Sequence, residues 1–471
     1  MIEEKVKQQS LKRNTLIYGL GNLSIFAIKF FLVPLYTFYL SEGDLGWFDV
    51  MASTVPMIAV VLGGHTELAL LRWMLEKPSL PIQKQVFTNS IFLNLIGILV
   101  FSLSYYWITD LQLFDFSEFT SPIYLYFYIL AVWFYTFLKQ SVRSIYSAKM
   151  FVVTDVAFTL TFLLQVICFV IILGMQINGI LLAFSLSSLL TGLYWMLFRK
   201  MVLYIDVRSL SFHFTKELLR YSLPLVPNTF NLWSINTIVK YIILLLLGIV
   251  SNGIFAIAFK IGFVIQMLNS IFNYAWQDKA ISSYMKEGFK DQVNSIFQKY
   301  FVLFSCMTLC LIAGQSVIVD MFIDGNFHEA KNYIWLIAFG FFFTGLANFI
   351  SVIYQCEKQT MQITISSVVA NVVLLLSAGF LTFRYALYGA SIAFLLANVT
   401  MFLYRLYHVK RFIRLSLNLT YLLAFLIAST AVLLATFYSV SLAIGLAFAF
   451  AIGSNYSELK KLSIRFKKLF N

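Results

Sequence analysis

The chain has 471 residues, of which 60% are apolar, 18% aromatic and only 12% charged. Soluble domains average about 45–50% apolar, so this composition excludes a soluble globular protein and indicates many membrane spans. The net charge of +13 does not imply nucleic acid, because the basic residues sit in short loops between apolar runs.

The N-terminal stretch "MIEEKVKQQSLKRN" leads into an apolar run too long for a signal-peptide core and without a small-residue cleavage site, so it is expected to be retained. About fourteen spans are expected, beginning near residues 14, 47, 86, 120, 154, 178, 219, 253, 294, 332, 362, 386, 418 and 438. The last is short, and the final pair is separated only by Ser-Val-Ser, so a hairpin that does not fully cross is an alternative. One set of alternate loops is basic ("KQSVRSIYSAK", "QDKAISSYMKEGFKDQVNSIFQK", "HVKRFIR"). The other is acidic or nearly uncharged ("SEGDLG", "TDLQLFDFSEFTS", "DMFIDGNFHEAKN"). The positive-inside rule then puts both termini in the cytoplasm, as an even span count requires. The tail "SELKKLSIRFKKLFN" alternates basic and apolar residues and is expected to lie along the inner leaflet.

Cys168, Cys306, Cys310 and Cys356 fall within or at the ends of apolar segments. Their spacing suits packing better than metal or a disulfide framework. No Walker, HExxH, CxxC or GxSxG pattern occurs, and no loop is large enough for a catalytic domain. An enzyme, a metal site and an organic cofactor are therefore not expected. The chemistry points to movement of a substrate.

Two stretches repeat. "NGILLAFSLSSLLTGLYWMLFRK" (178–200) parallels "YGASIAFLLANVTMFLYRLYHVK" (388–410), with Gly179 on Gly389, Tyr194 on Tyr404 and Lys200 on Lys410. A similar offset places Gly46 on Gly253. The expected architecture is all-α: a six-helix lobe at 1–207, a second at 208–414, and two further helices with a basic tail at 415–471. Halves offset by an even number of spans share one orientation. Such parallel repeats build transporters with a site between the halves near the midplane.

The segments "FFLVPLYTFYLSEGDLGWFDV", "LLRYSLPLVPNTFNLWSIN", "GIFAIAFKIG" and "NYAWQDKAI" resemble the polysaccharide-unit (O-antigen, Wzx-type) flippases of the multidrug/oligosaccharidyl-lipid/polysaccharide (MOP) exporter superfamily. The likeness covers essentially the first 414 residues. The fourteen-span count also resembles the lipid II flippase branch. Where many members carry an Asp-Arg pair in span seven, this chain has Val239-Lys240, which keeps charge but loses bidentate gripping of phosphate. The resemblance implies a transporter that flips a polyprenyl-pyrophosphate-linked oligosaccharide from the cytoplasmic to the outer leaflet of a bacterial inner membrane. Membrane lipids, a polysaccharide polymerase and glycosyltransferases would be its partners, and nucleic acid would not. The alternative is a cation-coupled antiporter of small organic cations; a scaffold for envelope enzymes is a third class.

Lys29, Lys240 and Lys260 are the deeply placed cations. Each either snorkels to an interface or faces a cavity suited to an anionic pyrophosphate. Arg72 either catches the head group on entry or is an end-of-helix positive-inside residue. Glu67, after His65 and "LGG", is read as a charge-neutralising partner or as a proton or sodium site for coupling. Gln266, Asn269, Asn273 and Gln277 share one face of span eight, and Asn228, Asn231 and Asn236 accompany them in span seven. These amides either bond between helices or contact sugar hydroxyls. Lys260 points away from the span-eight stripe, so both reach one cavity only if that helix bends. Pro34, Pro224 and Pro227 would permit bending elsewhere.

Overall fold

A computed structural model describes residues 30–76, 79–110, 119–146, 148–284, 287–416 and 419–454. Lys29, the N-terminal stretch, the acidic loop around Asp115 and the basic tail lie outside them. Among the described residues there are helices and no strands. Helix α1 is described over Phe30–Tyr39. A reciprocal Ser41–Asp44 capping box then starts α2 (Glu42–Leu62), which stops at two glycines before α3 (Thr66–Glu76). There follow α4 (Leu80–Asp110), α5 (Pro122–Ile145), α6 (Ala148–Val166) and α7 (Gln176–Leu193), the last two each extended by a π-helical turn.

After two short 3₁₀ turns come α8 (Phe212–Ser222), α9 (Val226–Leu247), α10 (Ile249–Ser283), α11 (Phe289–Phe322), α12 (Lys331–Cys356), α13 (Met361–Val409), α14 (Leu419–Tyr438) and α15 (Val440–Ser454). Among the described residues, ten helical segments are long and apolar enough to cross a membrane, and three shorter apolar helices accompany them. One of the ten, α13, is two helices meeting at Tyr385 and Ala386, whose backbones are not helical. Fourteen apolar segments result, as the sequence pattern led one to expect. α15 has 15 residues, or about 22 Å at 1.5 Å per residue, against a hydrocarbon core of about 30 Å.

The repeat has a backbone counterpart. Gln176 (φ 47°) and Ala386 (φ 50°) are both left-handed, and both precede the repeated glycine by three residues. At that glycine the new helix runs close to the end of the previous one. A Cβ on Gly389 would collide with Leu381 O, and one on Gly179 would stand 3.1 Å from the Phe169 carbonyl carbon. The matched glycines therefore turn spans five into six and eleven into twelve.

Contacts divide the chain into two compact units, Met1–Thr237 and Ile238–Asn471, with the division inside α9. It falls beyond the repeat boundary at 207/208 because the connecting loop is tied to the first unit. The fully buried Asn89 is the tie. Its Nδ2 donates to Ser209 O, while its Oδ1 accepts from Ser211 N and Thr215 Oγ1. The first unit has a core of Leu70, Met74, Val86, Phe87, Phe137, Leu138, Val142, Trp195 and Met201, which holds α3 against α4 and α5. The second is rich in aromatic stacks, such as Trp276 on Phe349 with centroids 4.5 Å apart.

Candidate functional site: a broken span and buried cations

The second span is discontinuous. Gly64 (φ 57°) and His65 (φ 56°) are successive left-handed residues, and a helix cannot pass through two of them. The freed backbone groups re-pair in short turns: His65 N donates to Val60 O, Gly64 N to Val61 O and Thr66 N to Gly63 O. Broken helices of this kind are tolerated at membrane depth where the exposed backbone is packed or lines a cavity.

At the break His65 and Glu67 are both 7% exposed. His65 Nδ1 and Glu67 Oε1 are 2.5 Å apart. The other ring nitrogen, Nε2, lies 2.9 Å from Thr229 Oγ1 on α9. With Glu67 as carboxylate, Nδ1–H donates to it, and Nε2 either accepts from the Thr229 hydroxyl or, when protonated, donates to it. Neutral groups from the neighbouring helices pack beside the break. From α5, Trp133 Nε1 donates to Asn94 Oδ1 on α4, and Asn94 Nδ2 donates to Thr66 Oγ1. From α8, Leu219 closes on Gly64. Further along α3, Arg72 is exposed, with its guanidinium 4.5 Å from the Tyr221 ring centroid and 5.6 Å from that of Trp73.

Lys240 is 5% exposed. Its ammonium stands 4.9 Å from the centroid of Phe259, a cation–π contact. Phe259 packs edge-on against Phe341 and Phe394 in turn. Lys260 is half-buried on α10, which runs as one helix through Ser283. No break there turns Lys260 toward the amide stripe, and the two stand on opposite faces.

The stripe is bonded within the second unit. Asn269, fully buried, accepts at Oδ1 from Asn273 Nδ2 and from Tyr300 OH on α11, and its own Nδ2 donates to Gln266 Oε1. Gln277 Nε2 donates to Gln355 Oε1 on α12. Asn269 is thus enclosed in a helix–helix network, whereas Gln266 and Asn273 stay half-buried. Asn228 and Asn236 are exposed and Asn231 half-buried.

Two polar clusters escaped the sequence reading. On α5 and α6, Asp155 accepts from Tyr135 OH (2.6 Å) and from Lys139 Nζ (3.0 Å). Arg405, 2% exposed on α13, is held by neutral oxygens: Nε donates to Ser366 Oγ, and the terminal nitrogens donate to Ser351 Oγ, Ser367 Oγ, Ala347 O and Ile363 O. A single ionisable residue inside each apolar run was the available signal. The four cysteines form no disulfide with one another, and no group of three or more metal-ligating side chains occurs among the described residues.

Residues 11–276 match a family described as polysaccharide biosynthesis protein. No curated relative matches the chain. In fold it is similar to the solved lipid II flippase MurJ in an inward closed conformation, with a TM-score of 0.69 at 14% identity over 97% of this chain and 99% of that one. It is also similar to a multidrug resistance MATE family transporter of the MOP superfamily. The inward-facing form gives a TM-score of 0.63 at 16% identity, covering 83% of this chain and 98% of that one. The outward-facing form gives 0.60 at 14%, covering 85% and 96%. The resemblance read from the sequence is borne out, and these relatives are transporters and a flippase, not enzymes.

Proposed function

Because the chain belongs to the polysaccharide biosynthesis protein family, we propose that this multi-pass membrane protein flips a polyprenyl-pyrophosphate-linked oligosaccharide by alternating access. The movement runs from the cytoplasmic to the outer leaflet of a bacterial inner membrane, with both termini cytoplasmic. The observation that carries this reading is Lys240, a cation buried mid-helix in an apolar span. A phosphate oxygen of an arriving pyrophosphate offers this ammonium a charge-assisted hydrogen bond inside a low-dielectric span. Lys29, in the sequence-equivalent first span, is proposed as the second phosphate ligand, and Arg72, on the short helix after the break, as the entry contact. The half-buried and exposed amides, Asn231, Asn236, Gln266 and Asn273 among them, are proposed to meet sugar hydroxyls.

Protons are the proposed coupling ion, held by His65 and Glu67. A sodium ion wants a cage of oxygens, whereas here an imidazole nitrogen occupies the carboxylate. In proteoliposomes, flipping by the wild type should follow an imposed pH gradient, and Glu67→Gln should remove that dependence. A requirement for sodium without any response to pH would overturn the assignment.

Complementation of a flippase-deficient strain, with protein abundance measured beside surface glycan, tests the main reading. Lys240→Ala should accumulate normally, since an apolar residue inserts more easily, yet lose most glycan export. Lys240→Arg should retain much of it, since charge at the phosphate matters before fork geometry. Full export by Lys240→Ala at normal abundance would remove Lys240 from the binding site. The second reading, antiport of organic cations, is favoured by the likeness to the multidrug transporters. It calls for a buried acid rather than a buried lysine at the cargo. Ethidium efflux that survives Lys240→Ala, with no change in surface glycan on deleting the protein, would favour it.

A further inference from the structure

We propose that the turn behind α13 holds the phosphate of an anionic membrane lipid. Tyr407, Lys410, Arg411, Arg414 and Leu415 line a cavity of about 560 Å³. Three of these five residues are cations and none is acidic. Lys410 lies just beyond the helix, where it complements the carbonyl end of α13. Arg411 and Arg414 stand past that end, so the helix dipole does not account for them. Their like charges repel one another across the cavity unless an anion gathers them.

The backbone that displays them is fixed. Asn294 on α11 donates from Nδ2 to Arg414 O and accepts at Oδ1 from Ser416 N, while Gln298 Nε2 donates to Ser416 O. Ile413 is 2% exposed and anchors the turn from below. Arg411 and Arg414 therefore point outward from a rigid support, where guanidinium forks can grip phosphate oxygens in pairs.

A lipid phosphate fits better than a soluble one. Tyr407 and Leu415 supply apolar wall, and Tyr407, 75% exposed, has Lys410 Nζ 6.0 Å from its ring centroid. An aromatic ring beside basic residues at the end of a spanning helix is the arrangement that meets a headgroup region. The site stands whether or not the chain flips glycans, since its evidence comes from a turn outside the proposed cargo residues.

The test uses the purified full chain in neutral detergent. Native mass spectrometry would score binding of phosphatidylglycerol against phosphatidylcholine at equal mole fraction. The wild type should prefer phosphatidylglycerol. The triple variant Lys410→Gln, Arg411→Gln, Arg414→Gln should lose that preference on the order of tenfold or more, since each basic residue near an anionic surface contributes roughly fivefold in affinity. Arg411→Gln alone, which leaves the backbone ties intact, should show a partial loss and guards against misfolding of the triple variant. A control with the same charge change, Lys200→Gln, Arg208→Gln, Lys216→Gln, should keep the preference. An unchanged preference in the triple and single variants would overturn the proposal. So would an equal loss in the control, which would make the effect one of diffuse charge. Displacement of the lipid by an equal concentration of inorganic phosphate would also overturn it, by making this a soluble-anion site.

Discussion

Spans two and eight hold equivalent places in the repeat, yet one is broken and the other is not. The offset that sets Gly46 on Gly253 sets Gly63, Gly64 and His65 on Ser270, Ile271 and Phe272. In α10 those residues continue the helix: Ser270 Oγ donates back to Gln266 O, and Phe272 packs at a tilt against Tyr300 with centroids 4.5 Å apart. The polar side chains flanking that place, Gln266, Asn269 and Asn273, are neutral amides, and Asn269 accepts from the Tyr300 phenol. At the same place in the second span the backbone opens and an imidazole–carboxylate pair fills the opening. An unbroken helix satisfies its own backbone and asks only for neutral packing. A broken one leaves oriented peptide dipoles and room for an ionisable pair.

Replacing Glu67 and the residue matched to it in span eight tests that contrast most severely. Glu67→Leu should abolish most export and cost about 2–3 kcal/mol of stability, because it removes a charged partner from a buried imidazole. The matching Tyr274→Leu on α10, where the ring is half exposed, should stay within about 0.5 kcal/mol. Thermal unfolding in detergent, read beside complementation, measures both. Equal effects would mean the break is incidental.

Gly64→Ala should be the next largest, at about 1–2 kcal/mol, since L residues resist a left-handed backbone. The added Cβ would also stand 3.0 Å from Leu219 Cδ2. Export should fall more than stability does, whereas Ser270→Ala in α10 should change neither.

Tyr300→Phe removes a donor to the enclosed Asn269 and should cost about 1.5 kcal/mol while leaving export near normal. Loss of export without loss of stability would show that the span-eight network serves transport as well as packing. Among the substitutions expected to do damage, Thr229→Val should act least, at about 1 kcal/mol, since His65 Nε2 loses one neutral partner. Its signature should be reduced export at unchanged protein level.

Periodicity and hydropathy located the fourteen apolar segments, the duplication and the buried Lys240. They also exposed the amide stripe of α10, because Gln266, Asn269, Asn273 and Gln277 recur at helical spacing. These features are local: the transfer free energy of an apolar run, or the face a residue takes on a helix, depends on residues within a few turns. The left-handed Gly64 had a readable signal too, in two glycines followed by a Thr-Glu helix start. What that opening would hold was decided elsewhere in the chain. His65 meets Thr229, 164 residues away, and Arg405 draws its donors' partners from α12 and the start of α13. Which oxygen faces a buried charge is set by how distant helices pack. Membrane insertion is indifferent to that choice, so the apolar pattern carries no record of it. Sequence thus determined that charges enter the membrane, and the tertiary structure alone decided what each one meets.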